Sequence, residues 1–213
     1  MAGGGSVSDI LDARMLAEVF VTLFVIMDPP GTVPIFLGLT GAMTGRQRNR
    51  AARQAILVAF GVIVSFALFG QQLLSYMHIS LPALQASGGL LLLLVAMELL
   101  TGKMESSAQP SGATGVNVAL VPLGTPLLAG PGAIVATMVF VQRAENVADW
   151  VAIALGIVGV HVCLWLSMRF ANVIHRVLKD SGTILISRIA GLLLAAIAVQ
   201  LVADAVRAFI QAG

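Results

Sequence analysis

Asp28 is the residue that first calls for an explanation. It opens the run Asp28-Pro29-Pro30-Gly31-Thr32-Val33-Pro34, set in the middle of a long apolar stretch. A charged side chain at such a depth in a bilayer costs roughly 2.5–3.5 kcal/mol on insertion scales. The three prolines bring no backbone N–H and clash with the turn before them, so an unbroken helix through this run is not expected. A second run, Thr125-Pro126-Leu127-Leu128-Ala129-Gly130-Pro131-Gly132, follows Pro122 and should break in the matching place. Irregular backbone survives at membrane depth only where protein buries it or a wet cavity meets it. Half-helices starting at Gly31 and Gly132 would offer unpaired N–H groups and a positive dipole end to an anion such as a carboxylate. Carbonyls released ahead of the prolines would accept from an ammonium group or hold a cation. The expected substrate-binding residues are therefore Asp28, Pro29, Gly31, Thr32 and Pro34 at the first break, and Thr125, Gly130, Pro131 and Gly132 at the second. A single Pro-Gly kink in a membrane helix is ordinarily structural; two at one register, one beside a carboxylate, favour a site.

Asp28 would hold a substrate ammonium or carry a coupling proton. Glu98 and His161 are the other candidates for proton coupling, because ionisable groups inside a membrane tend to be functional. Each has a plainer alternative: Glu98 lies within about a turn of Lys103, and a neutral His161 can bond a neighbouring carbonyl. Cys163 stands two residues from His161 and points to another face of a helix, so the two form no metal pair. No metal ligand set and no cofactor are expected. Arg188 reads as an interface anchor, and Asp204 with Arg207 as an ordinary helical surface pair. Small residues such as Gly61, Ser65, Gly156 and Gly159 suit close helix packing, and self-association through such faces stays open.

The elements that must carry these residues follow from composition. Of 213 residues, 58% are hydrophobic and 10% charged, with a mean hydropathy of +0.97; soluble domains carry roughly 45–50% apolar and about 25% charged residues. A soluble enzyme is excluded, as is a disulfide-stapled secreted module, since Cys163 is the single cysteine. The net charge of +2 is spread without a basic patch carrying interleaved aromatics, so nucleic acid is not an expected partner. Six windows reach the roughly 20 apolar residues that a bilayer requires: Met15 to Leu39, Gln54 to Met77, Leu81 to Gly102, Val118 to Val141, Val147 to Phe170 and Thr183 to Phe209. Between them lie Arg46–Arg53, a polar Lys103–Asn117 stretch and His175–Gly182, all read as connections. Nine of the twelve bases fall at connections 1–2, 3–4 and 5–6, which puts both termini on the periplasmic or extracellular side. Arg46, Arg48, Arg50 and Arg53 serve topology first, with anionic lipid as a second use. The Met1-Ala2-Gly3-Gly4-Gly5 start has no positive region, and no signal peptide is expected.

Pro30-Gly31 recurs as Pro131-Gly132, 101 positions on, and the Gly89–Glu98 segment resembles Gly191–Gln200, 102 positions on. Three spans per unit is an odd number, so the second unit enters the membrane upside down. The expected fold is an all-α integral membrane protein of six transmembrane helices in two inverted three-helix repeats, with helices 1 and 4 broken at the Pro-Gly motifs. Repeat 1 covers about 10–102, a linker about 103–117 and repeat 2 about 118–210 of a single membrane domain.

The two motifs resemble signatures of the MarC family of bacterial and archaeal inner-membrane proteins. Asp28-Pro29-Pro30-Gly31-Thr32-Val33-Pro34-Ile35-Phe36 with Leu39-Thr40 is similar to its Asp-Pro-x-Gly-x-x-Pro-x-Phe-x-x-Leu-Thr pattern, Pro30 taking a variable position. Pro126 to Ile134 resembles a second signature, and length, span number and motif order agree over nearly the whole chain. The family is grouped with lysine-exporter-like transporters, and some members are described as neutral amino acid transporters. The resemblance implies a carrier of small neutral amino acids in the inner membrane, working by alternating access, with an amino acid and the lipid bilayer as partners. The alternatives are an exporter of another small or drug-like solute, an ion channel, or a non-transporting membrane protein. No protease or hydrolase motif is present, and no enzyme is expected.

Overall fold

The computed structural model describes residues 12–41, 43–101 and 128–212. Every regular element among them is an α-helix: α1 (Ala13–Met27), α2 (Pro29–Thr40), α3 (Gly45–Tyr76), α4 (Leu81–Thr101), α5 (Pro131–Arg143), α6 (Val147–Arg169) and α7 (Ala171–Ala212). Among the described residues, five stretches are long and apolar enough to cross a membrane: Ala13–Thr40, Gly45–Tyr76, Leu81–Thr101, Val147–Arg169 and Ile184–Gln211. They match the first, second, third, fifth and sixth expected windows. The fourth begins outside the described residues, which leaves Pro122, Thr125, Pro126 and the Lys103–Asn117 linker there as well. Its described remainder holds α5, which starts at Pro131 and runs for 13 residues.

Two expected connections are helical instead. Arg46–Arg53 forms the first turns of α3, and residues 175–182 lie inside α7. Arginine is a good helix former, and Thr44 starts α3 with a reciprocal capping box to Gln47, so nothing ends the helix where the apolar run does. α3 is 32 residues long and at ~1.5 Å per residue extends to ~48 Å, well past a ~30 Å hydrocarbon core. α6 starts in the same manner, with a capping box between Asn146 and Asp149. Only Phe170 separates α6 from α7.

The larger core joins α1, α2, α3, α5 and α6 around Leu23, Phe36, Ile63, Phe140 and Leu164. Glycines set its close approaches: Gly156 of α6 lies against Val19 of α1, Gly70 of α3 against Met138 of α5, and Gly88 of α4 against Val135 of α5. Leu57, Leu94 and Leu192 stay more than half exposed, as a lipid-facing surface requires.

The most extensive pairing is α4 with α7. A Cβ added to Gly89 would lie 2.8 Å from the Ala198 carbonyl oxygen, and one added to Gly191 would lie 3.2 Å from the Ala96 carbonyl oxygen. Rising numbers on one helix meet falling numbers on the other, so the two cross antiparallel. Leu92, Ala96, Leu194 and Ala198 close the space between them. Glycine at such a crossing lets two backbones touch. Gly89→Ala should therefore destabilise the protein by about 1–3 kcal/mol, the cost of overpacking. Gly61→Ala, where an added Cβ meets nothing within 4 Å, should be neutral or stabilising. Thermal unfolding in detergent would show the order, and equal effects would remove the crossing as the cause.

Candidate functional site

The first break is one residue wide. Asp28 adopts φ 41° and ψ 68°, the left-handed region, and serves as C-cap of α1 and N-cap of α2 together. Aspartate and asparagine enter this region more readily than most residues. The Asp28 N–H donates to the Phe24 carbonyl at 3.0 Å and closes α1. On the α2 side, Pro29 and Pro30 have no N–H to satisfy. The Gly31 N–H donates to Asp28 Oδ1 at 3.1 Å, the Thr32 N–H to the Asp28 carbonyl at 3.0 Å, and the Thr32 hydroxyl to the Pro29 carbonyl at 2.8 Å. Of the N–H groups expected to meet an anion, those of Gly31 and Thr32 are thus engaged within the turn. Glycine is required at position 31, because an added Cβ would overlap the Asp28 carboxylate. The prolines also leave acceptors: those at 29, 30 and 34 supply no N–H to the carbonyls of Val25, Ile26 and Pro30.

What remains at this break is a carboxyl oxygen. Asp28 is 9% exposed, and its Oδ2 is buried with no hydrogen-bond partner among the described residues. Asp28 lines a cavity of about 40 Å³ with Ile26, Gly31, Thr32 and, from α4, Val95 and Leu99. That volume holds about one or two waters.

The second break differs. Gly130 is the N-cap of α5 with no side-chain bond, and Pro131 takes the first helical position. The Ala133 and Ile134 N–H groups both donate to the Gly130 carbonyl, at 3.0 and 3.2 Å. The Gly132 N–H has no acceptor among the described residues, so this helix start presents one donor and the positive end of a dipole. Gly132 sits against Leu92 so closely that a Cβ there would overlap the leucine. Leu92, Val95 and Leu99 share one face of α4 at spacings of three and four. The two breaks therefore rest on neighbouring turns of the same helix.

The other expected residues are placed apart from this point. Glu98 is exposed on α4 and does not line the Asp28 cavity. His161 is buried in α6, with Nδ1 2.7 Å from the Ile157 carbonyl and its ring edge-on to Phe60 at 5.1 Å between centroids. Its Nε2 has no partner among the described residues. Pro34 is half-buried inside α2. Thr125 lies outside the described residues. Asp204 and Arg207 form the expected surface pair, at 3.9 Å, and Gln200 donates to Asp204 at 2.8 Å.

A second cavity, of about 240 Å³, opens between α1, α5 and α7, with Thr22, Ala136, Arg143, Ile197, Gln200 and Asp204 in its wall. The sequence pattern does not mark it, since Arg143 and Asp204 stand 61 positions apart and each reads as an ordinary helix-end charge. α4 and α7 run antiparallel, so this cavity, beside the C-terminal half of α7, and the Asp28 cavity, beside the C-terminal half of α4, lie toward opposite ends of that helix pair.

Comparison with known proteins bears on this arrangement. A family model described as MarC family integral membrane protein matches residues 13–210. UPF0056 membrane protein MJ1677 of Methanocaldococcus jannaschii is 32% identical over 201 residues, 92% of this chain and 98% of the relative. UPF0056 membrane protein YhcE of Escherichia coli is 30% identical, covering 94% and 96% of the two chains. UPF0056 membrane protein YvbG of Bacillus subtilis is also 30% identical, covering 88% and 92%. No solved structure shows significant similarity to the chain.

The two roles of the Asp28 carboxylate are separable by substitution. Asp28→Asn retains an acceptor for the Gly31 N–H and tolerates the left-handed backbone, so it should unfold close to the wild type. Asp28→Ala loses the cap and should cost about 0.5–2 kcal/mol. Chemical denaturation in detergent would measure both, and an alanine variant as stable as the wild type would remove the cap from the account of the break.

Proposed function

The chain belongs to the MarC family of integral membrane proteins, and from that membership and the geometry of the two breaks we propose that it carries small neutral amino acids across the membrane by alternating access. One observation supports this above the others. The cavity beside Asp28 is walled by Ile35, Val95 and Leu99. The cavity toward the opposite end of the bundle is walled by Ala136, Ile197 and Leu201. These are the same positions advanced by 101, 102 and 102 residues. Two cavities that share three equivalent wall positions, one of about 40 Å³ and one of about 240 Å³, suit an inverted repeat that serves a carrier from either side.

Further correspondences favour the repeat. The capping boxes at Thr44–Gln47 and Asn146–Asp149 stand 102 residues apart. The contact of Gly89 with Ala198 and that of Gly191 with Ala96 exchange under the same shift. The pairing of α2 with α7 corresponds to that of α5 with α4, and α2 with α6 to α5 with α3. In this reading the part of the fourth window outside the described residues completes a sixth span, repeat 1 covers about 10–102 and repeat 2 about 118–210. The basic connections then face the cytoplasm, by the positive-inside rule.

At the site, Asp28 Oδ2 receives the substrate ammonium or a coupling proton, and the Gly132 N–H with the start of α5 receives the substrate carboxylate. An acceptor and a donor that have no partner among the described residues, over one face of α4, suit a zwitterion. Glycine or alanine fits best, because the space beside Asp28 admits little more than water until the bundle rearranges.

The test is exchange in proteoliposomes loaded with unlabelled glycine or alanine, following entry of labelled amino acid with and without a pH gradient. Uptake above empty liposomes that Asp28→Asn lowers at least tenfold is the expected result. Undiminished exchange in a folded Asp28→Asn protein would remove Asp28 from the mechanism, and no exchange by the folded wild type would overturn the amino acid reading.

A further inference from the structure

The end of the bundle that carries most of the arginines holds a cleft separate from both breaks. It measures about 500 Å³ and lies between the start of α3 and the end of α6, lined by Arg46, Asn49, Ala52, Arg53, Trp165 and Arg169. Positions 46, 49 and 53 share one face of α3, and 165 and 169 one face of α6. Three guanidinium groups, an amide and an indole thus open on one space. None of the three arginines forms an ion pair among the described residues.

Topology alone does not require this convergence. The positive-inside rule asks only for charge near the ends of the spans, and exposed side chains pointing anywhere would meet it. Arg48 is turned elsewhere, donating to the Thr40 carbonyl and to Asn172 Oδ1, and Arg50 does not line the cleft. Arg46 also opposes the dipole of α3, whose first turn holds no acid, whereas the equivalent turn of α6 carries Asp149 and Arg169 stands in the last turn of α6, where a base complements the dipole. Three like charges around one space repel one another, and a bound anion would offset that repulsion.

The size and surroundings of the cleft indicate which anion. Guanidinium groups hold phosphate through paired N–H donors, and basic pockets between membrane helices accept lipid headgroups. From Arg53 the exposed apolar track continues one turn on to Leu57, 69% exposed, and from Trp165 to Val162, 47% exposed. A free phosphate would leave that track unused, while an acyl chain would cover it. The chemistry is also confined to one end of the bundle. Shifted by 102, the positions of Arg46, Asn49 and Arg53 hold Ala148, Val151 and Leu155, and those of Trp165 and Arg169 correspond to Ile63 and Ala67. We propose that this cleft binds an anionic phospholipid of one leaflet, its phosphate on Arg46, Arg53 and Arg169 and its chains along Leu57 and Val162.

The experiment follows thermal unfolding of the purified full-length protein in detergent while titrating dioctanoyl phosphatidylglycerol, dioctanoyl phosphatidylcholine or inorganic phosphate. Phosphatidylglycerol should raise Tm saturably and the other two should not. Arg53→Gln and Arg169→Gln, made separately so that a folding defect in one leaves the other to decide, should each weaken the apparent affinity by about tenfold or more, since each removes a charge-assisted bond. Arg50→Gln should bind as the wild type does. Phosphatidylcholine acting equally well, or both cleft variants binding normally, would overturn the proposal. A shift produced by inorganic phosphate and lost in the variants would overturn the lipid as occupant and assign the cleft to a soluble phosphate.

Discussion

A peptide N–H released from a helix inside hydrocarbon has no water to bond, and the arrangement at residues 27–32 answers that constraint locally. Two prolines occupy positions whose N–H groups would otherwise be orphaned, and the next two donors turn back to Asp28, one to its side chain and one to its carbonyl. The N–H groups of the break are therefore satisfied within it and need no acceptor from another helix. Closing it uses one carboxylate oxygen and leaves the other without a partner among the described residues. The second break closes with glycine, which has no side chain to spend, and leaves a donor without an acceptor among the described residues. The opposite character of the two sites follows from the capping residue, aspartate in one and glycine in the other.

Both breaks depend on α4 for their position. Leu92 meets Gly132 and Val95 and Leu99 wall the Asp28 cavity, so any shift of α4 is felt at both. The placing of α4 depends in turn on its crossing with α7, where the helix axes come close enough for glycine to face carbonyl oxygen in two equivalent places. Dispersion contacts fall off steeply with distance, and in a membrane they carry much of the association that water would otherwise drive.

Much of this is legible in the chain. Asp28 among three prolines announces a broken helix, because proline cannot donate and a carboxylate cannot stay in lipid unexplained. The apolar runs locate the crossing-length helices to within a few residues at their inner ends. Their outer ends are not legible in the same manner: hydropathy changes at Gln54, but α3 begins at Gly45, since helix capping and propensity are indifferent to the membrane surface. Pairings between distant helices are harder still. Nothing about Trp165 and Arg169 reveals that Arg46 and Arg53 stand opposite them, and the use of the Gly31 and Thr32 N–H groups within their own turn depends on a left-handed residue that sequence spacing alone does not specify. Gly89 and Gly191 are visible as the heads of two similar segments 102 positions apart, whereas their meeting with Ala198 and Ala96 needs the antiparallel crossing to be seen.

Arg48 has a mechanical meaning beyond its charge. Its guanidinium donates to the carbonyl of Thr40, the last residue of α2, at 3.2 Å and to Asn172, the second residue of α7, at 3.1 Å. The short helix that begins at Asp28 is thereby pinned at its far end to a rod of 42 residues whose other half borders the cavity at the opposite end of the bundle. Sliding α2 along its axis must stretch the Arg48–Thr40 bond or carry the Arg48 side chain with it. One side chain of α3 thus ties the last turn of α2 to the first turn of α7, two helix ends that stand 132 positions apart in the sequence.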